Sequence, residues 1–159
     1  MAFKPFRKYR KTLILFVKQN GLCWICGCPM LLPRQGLRNP GRWEANIDHI
    51  GQKCGRQRTL KAAHAGCNLA RGHKQPCEIE GHVNGLKAFF SDANRYRCMS
   101  GVTVEQALDT AKVRIEKITE IILNPPVVPL GVTMNRVDYA RRMLKAGMAY
   151  HPDMPIEKL

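Results

Sequence analysis

Cys23-Trp24-Ile25-Cys26 and His64-Ala65-Gly66-Cys67-Asn68, with Ile47-Asp48-His49-Ile50 between them, carry the spacing from which the organisation of the chain follows. Two ligand pairs, each separated by two residues, suit one tetrahedral zinc ion. Each tight turn offers two soft or imidazole ligands, and the chain between the turns is pinned as a loop. The spacing predicts Cys23, Cys26, His64 and Cys67 as a structural zinc cage. Cys28, Cys54, Cys77 and His82 are rival ligands, Cys54 foremost, but they do not form a second pair of x-x spacings. A spare cysteine otherwise serves as a small buried hydrophobe.

Inside the pinned loop, Trp43, Ala45 and Ile47 alternate with Glu44, Asn46 and Asp48. That is the period of a half-buried strand over 42–50, and it gives His49 the buried-side parity of Ile47. A second strand is expected over 58–65, after a turn containing Gly51, Lys53, Gly55 and Arg56, and it returns the chain to His64. Asn68 is expected to open a helix that crosses the pair. A hard cation such as magnesium takes oxygen ligands, which the Asp48 carboxylate and the Asn68 amide oxygen supply, and a neutral imidazole at His49 takes a proton from water. Competing with this are a purely structural Asp48-His49 hydrogen bond and an Asn68 that only caps its helix.

The strings Asn20-Gly21-Leu22-Cys23-Trp24-Ile25-Cys26, Ile47-Asp48-His49 and Cys67-Asn68-Leu69-Ala70-Arg71-Gly72 resemble the HNH, or ββα-metal, nucleases, and within them the recombination endonuclease VII family of phages. The likeness covers residues 10–75, with a weaker one at Met143-Leu144-Lys145-Ala146-Gly147. It implies that Asp48 and Asn68 hold a catalytic Mg²⁺ or Mn²⁺, that His49 is the general base, and that the zinc is structural. It also implies a homodimer acting on branched DNA such as a Holliday junction, in the cytoplasm of a host if the chain is phage-encoded. The chain departs from the family pattern twice. His64 stands where a third cysteine is usual, which leaves a normal Cys₃His site. Arg71, three residues after Asn68, stands where an acidic group is usual, and His73 is the nearby alternative.

Composition points independently to a polyanionic partner, since 26 Lys and Arg against 12 Asp and Glu give a formal charge of +14 over 159 residues. Such a field gives affinity for phosphate backbones but carries no base information. Seven cysteines without a signal peptide or a membrane-spanning run lead us to expect reduced thiols, metal binding and a cytoplasmic setting. Leu13 to Val17 is too short to cross a bilayer.

The expected fold class is α+β, mostly helical: a zinc-stabilised ββα-metal core over 1–80, a helical packing or dimerisation region over 81–124, and a linker with a helical appendage over 125–159. Residues 6–20 read as a basic amphipathic helix stopped by Asn20-Gly21, its cationic end either on DNA or simply solvated. Residues 29–42 read as a loop rich in Pro and Gly that carries Arg34, Arg38 and Arg42. Residues 84–97 have helical spacing, with Leu86, Phe89, Phe90, Ala93 and Tyr96 expected in the core. Thr103 and Gln106 form a capping box for a helix over 104–123 that stops at Asn124-Pro125-Pro126. Its seam of Val104, Leu108, Ala111, Ile115, Ile118 and Ile122 suits packing on the same chain or on a second copy, and the resemblance favours the copy. A last helix is expected over 135–146, docking on the dimer or gripping DNA through Arg136, Arg141, Arg142 and Lys145.

The function expected from these readings is metal-dependent hydrolysis of DNA phosphodiesters, selective for branched structures. The alternatives are an HNH nicking or restriction-like enzyme on linear duplex, and a zinc-containing DNA-binding protein without catalysis.

Overall fold

The computed structural model describes residues 4–34, 40–51 and 59–124. The expected helix over 135–146, together with Cys54, Lys53, Arg56 and Arg38, lies outside the described residues. Within them the fold is α+β and mostly helical, in the order α1 (Lys4–Lys18), β1 (Ala45–Ile50), β2 (Thr59–His64), α2 (Ala65–Arg71), a short 3-10 turn (Pro76–Ile79), α3 (Glu80–Phe90), α4 (Ala93–Ser100) and α5 (Val104–Leu123). Among the described residues, no helix is long and apolar enough to cross a membrane.

Helix α1 buries Leu13 and Phe16 completely and leaves Arg7, Lys8 and Lys11 exposed, as its alternation of apolar and basic residues requires. It ends where two consecutive residues, Asn20 (φ 52°) and Gly21 (φ 72°), turn left-handed, and the Gly21 N–H closes the end on the Phe16 carbonyl at 2.9 Å. A Cβ on Gly21 would stand 3.2 Å from both the Phe16 ring and Val104. The stop therefore needs glycine for its backbone and for its space.

Helix α5 lies antiparallel on α1, with Gly21 beside Val104 at one end and the Arg10 Nε donating to Thr119 Oγ1 at 2.7 Å towards the other. Thr103 opens α5 through both halves of its capping box with Gln106. Of the expected seam, Ala111 and Ile118 are buried and Val104, Leu108, Ile115 and Ile122 are partly covered, with Ala107 and Ile121 completing the face. All of these pack on the core of the same chain, which also takes in Met30, Trp43, Phe90 and Tyr96.

The expected helix over 84–97 is two helices. Asp92 breaks the run, because its carboxylate accepts the N–H groups of Asn94 and Arg95 and starts α4 afresh. Phe90 and Tyr96 reach the core as expected, but Phe89 is 40% exposed and Ala93 is exposed.

Strands β1 and β2 form an antiparallel hairpin in which Ala45 faces His64, Asp48 faces Lys61 and Ile50 faces Thr59. The outer edge of β2 is not left bare. Gln19 donates to the Ala62 carbonyl at 2.8 Å and accepts the Ala62 N–H at 2.7 Å, so its amide acts as one residue of a third strand. Helix α2 follows β2 without a loop and starts at Ala65, so Asn68 sits inside it and does not cap it.

Candidate functional site

The ligand turns are built locally. After α1 stops, Cys23 N–H bonds the Cys28 carbonyl at 2.9 Å and Gly27 N–H bonds the Cys23 carbonyl at 2.8 Å, a tight knuckle that Gly27 (φ 73°) permits. The second pair lies at the seam of β2 and α2, where His64 ends the strand and Cys67 falls one helical turn later. The two turns meet: one ligand atom from each of Cys23, Cys26, His64 and Cys67 lies within 4.8 Å of every other, and all four residues are buried. Soft sulfurs with one imidazole at this spacing fit zinc.

The orientation of His64 is settled by its neighbours. Its Nε2 donates to the Pro29 carbonyl at 2.9 Å, which leaves Nδ1 as the lone pair facing Cys26 Sγ at 3.4 Å and Cys67 Sγ at 3.6 Å. The ring stacks on Phe90 with centroids 3.9 Å apart and planes 8° apart. The three sulfurs compete for protons. Hydrogen bonds from Cys26 and Cys67 hold the Cys23 thiol far below its ordinary range, and the resulting bond to Cys23 pushes Cys26 up to about 12 and Cys67 upward as well. A dication removes this conflict by taking all three sulfurs as thiolates.

The rival ligands stand elsewhere. Cys28 is buried, and that burial raises its thiol pKa; its Sγ points at the carbonyls of Cys26 and Lys87, at 3.7 and 3.6 Å. Cys77 and His82 are exposed on the far side of α2 in sequence and are not part of the four-residue group.

A second polar cluster lies along the same hairpin and helix. Asp48 is 1% exposed, and both of its carboxylate oxygens accept hydrogen bonds. Arg71 grips it through two nitrogens, with Nε on Oδ2 at 2.9 Å and Nη2 on Oδ1, while Trp24 Nε1 donates to Oδ2 at 2.9 Å. Arg71 is itself anchored, donating from Nη1 to the Lys74 carbonyl at 2.7 Å and from Nη2 to the His49 carbonyl at 3.2 Å. The Trp24 ring lies near two cations, with Lys61 Nζ 5.2 Å and Arg71 Cζ 5.6 Å from its centroid.

The other two residues of the expected set are placed differently. Asn68 donates from Nδ2 to the Ile47 carbonyl at 3.1 Å, which ties α2 to β1 one residue before Asp48 and leaves its amide oxygen as an acceptor. His49 is exposed, whereas strand parity predicted it buried beside Ile47. The reason is that burial fades towards the turn end of the hairpin: Ile47 is covered, but Ile50 and Leu60 are only partly so and Thr59 is exposed. Burial instead stays on the opposite face at Asp48, held there by Arg71 and Trp24. His73 is exposed just after α2.

Arg71, Trp24 and Lys61 are the residues that sequence reading did not assign to the site. One signal for Arg71 was present: it falls three residues after Asn68, on the same helical face. A scan against protein-family models, a search of the curated proteins and a search of the solved structures each return no match to this chain.

Proposed function

We propose that the chain is an HNH-type endonuclease that hydrolyses phosphodiester bonds in DNA. The observation that carries this reading is the clasp. One buried Cys₃His group ties the Cys23–Cys26 knuckle to the seam of β2 and α2, and Asp48, His49 and Asn68 lie along that hairpin–helix junction. Within it, exposed His49 takes the proton of an attacking water at an imidazole nitrogen. Lys61, Lys74 and Arg42 are exposed and offer positive charge to a backbone phosphate, within a chain of formal charge +14. Zinc, when bound, holds hairpin and helix in register.

The family likeness also assigns a Mg²⁺ or Mn²⁺ to Asp48 and Asn68. The residues as placed do not fit that ion, because both Asp48 oxygens are occupied by Arg71 and Trp24. Branched DNA as the substrate and a homodimer as the acting form rest on the same likeness, and both belong to the proposal.

A second reading is favoured by that same saturation of Asp48: a zinc-stabilised module that binds DNA without cutting it. Incubating the protein and its His49→Ala variant with a labelled four-way junction and the matching linear duplex, in Mg²⁺, Mn²⁺ or chelator, separates the two. The nuclease reading expects wild type to cut the junction and His49→Ala to lose about 100-fold or more in rate. Cutting of both substrates alike would assign a linear-duplex enzyme. Binding without cutting in either cation would establish the module.

A further inference from the structure

We infer that Arg71 is the resident cation of Asp48, and that its guanidinium bars a divalent ion from this carboxylate in the protein free of nucleic acid. The inference rests on the nuclease reading only for where such an ion is expected. A dication needs at least one Asp48 oxygen directed at it, with space for further oxygens or water around it. Here the carboxylate is 1% exposed and Arg71 4%, the guanidinium approaches it side-on through Nε and Nη2, and Trp24 covers Oδ2 from another direction. This is the two-pronged geometry in which arginine matches a carboxylate best.

The grip is reinforced from behind. Nη1 is spent on the Lys74 carbonyl and Nη2 also reaches the His49 carbonyl, so four of the guanidinium's hydrogen bonds converge on one pose. To admit an ion at Asp48, Arg71 must leave both carbonyls as well as the carboxylate. The buried charge is neutral as it stands. A dication added beside Arg71 would place three positive charges on one carboxylate and the Asn68 amide oxygen.

The test uses the full chain, loaded with zinc and free of DNA, titrated with Mn²⁺ and read by the electron paramagnetic resonance signal of unbound Mn²⁺. Wild type is expected to show no Mn²⁺ site that Asp48→Asn removes. Arg71→Gln is expected to gain one, at least about tenfold tighter than anything in wild type, and the Arg71→Gln/Asp48→Asn double variant to lose it again. Zinc content and far-ultraviolet circular dichroism confirm that each variant is folded, and Arg71→Met, which removes the charge at similar volume, replaces Arg71→Gln with the same expected outcomes if the latter fails. A wild-type Mn²⁺ site abolished by Asp48→Asn overturns the inference, as does a folded Arg71→Gln that gains none. A protein that never cuts DNA yet gains the ion with Arg71→Gln upholds the inference and refutes the nuclease. One that cuts DNA while the wild type already holds Mn²⁺ at Asp48 does the reverse.

Discussion

At the end of the hairpin away from its turn, where Ala45 faces His64, three sulfurs crowd one imidazole; three residues along the same strand, Asp48 meets Arg71. Both clusters are buried, the first joining the Cys23–Cys26 knuckle to the β2–α2 seam and the second joining β1 to α2, yet their charge balance is opposite. The sulfurs compete for protons, with Cys23 driven towards thiolate and Cys26 and Cys67 driven towards thiol, and a dication relieves all of them at once. The carboxylate is already answered by a guanidinium and an indole N–H. A metal site is thus marked by an unbalanced set of donors, and the right residue types in the right order do not suffice when a neighbouring side chain has completed the balance.

The largest effect is expected from removing the metal from the sulfur cluster. Chelation is expected to unfold the hairpin–helix unit, since structural zinc in small domains supplies on the order of 10–16 kcal/mol of apparent binding energy. The check is loss of ellipticity and of Trp43 burial on adding a strong chelator, reversed by zinc and unaffected by Mg²⁺. A chain that keeps its fold under chelation would show that α1 and α5 alone hold it.

A smaller but sharper effect is expected at the other cluster. Asp48→Ala leaves Arg71 buried without its partner and is expected to cost about 3–5 kcal/mol, read by urea denaturation of the zinc-loaded protein. Replacing both residues with apolar side chains, Asp48→Leu with Arg71→Met, is expected to recover most of that loss, because the pair contributes neutrality more than net stability. Smaller again, Trp24→Phe removes one hydrogen bond to the carboxylate and is expected to cost about 1.5–3 kcal/mol with zinc content unchanged. If Trp24→Phe is as costly as Asp48→Ala, the indole and not Arg71 is the principal partner of Asp48.

What the sequence made legible is what local geometry decides. The x-x spacing of each ligand pair is a property of one turn, so the four cage residues could be read before their meeting in space was known. The Thr103–Gln106 capping box and the Asn20-Gly21 stop are likewise local: α5 starts at Val104 as expected, and α1 ends at Lys18, just before the left-handed pair. The misreadings concern pairings made across the chain. Asp48 and Arg71 are 23 residues apart, and nothing along the strand announces that the carboxylate is the buried member of the Asp48-His49 pair. The period-2 pattern correctly found the strand but assumed cover to its end, where the hairpin provides none for His49. Gln19 acting as a third strand for Ala62 had no signal in spacing at all, because a side-chain amide there stands in for backbone.

Metal content distinguishes the two clusters most directly. The account predicts about one zinc per chain in wild type and in Asp48→Asn, and none in Cys67→Ser, by elemental analysis of protein purified without added metal. Zinc retained in Cys67→Ser, or lost in Asp48→Asn while the fold persists, would contradict the assignment of the cation to the sulfur cluster and of Arg71 to the carboxylate.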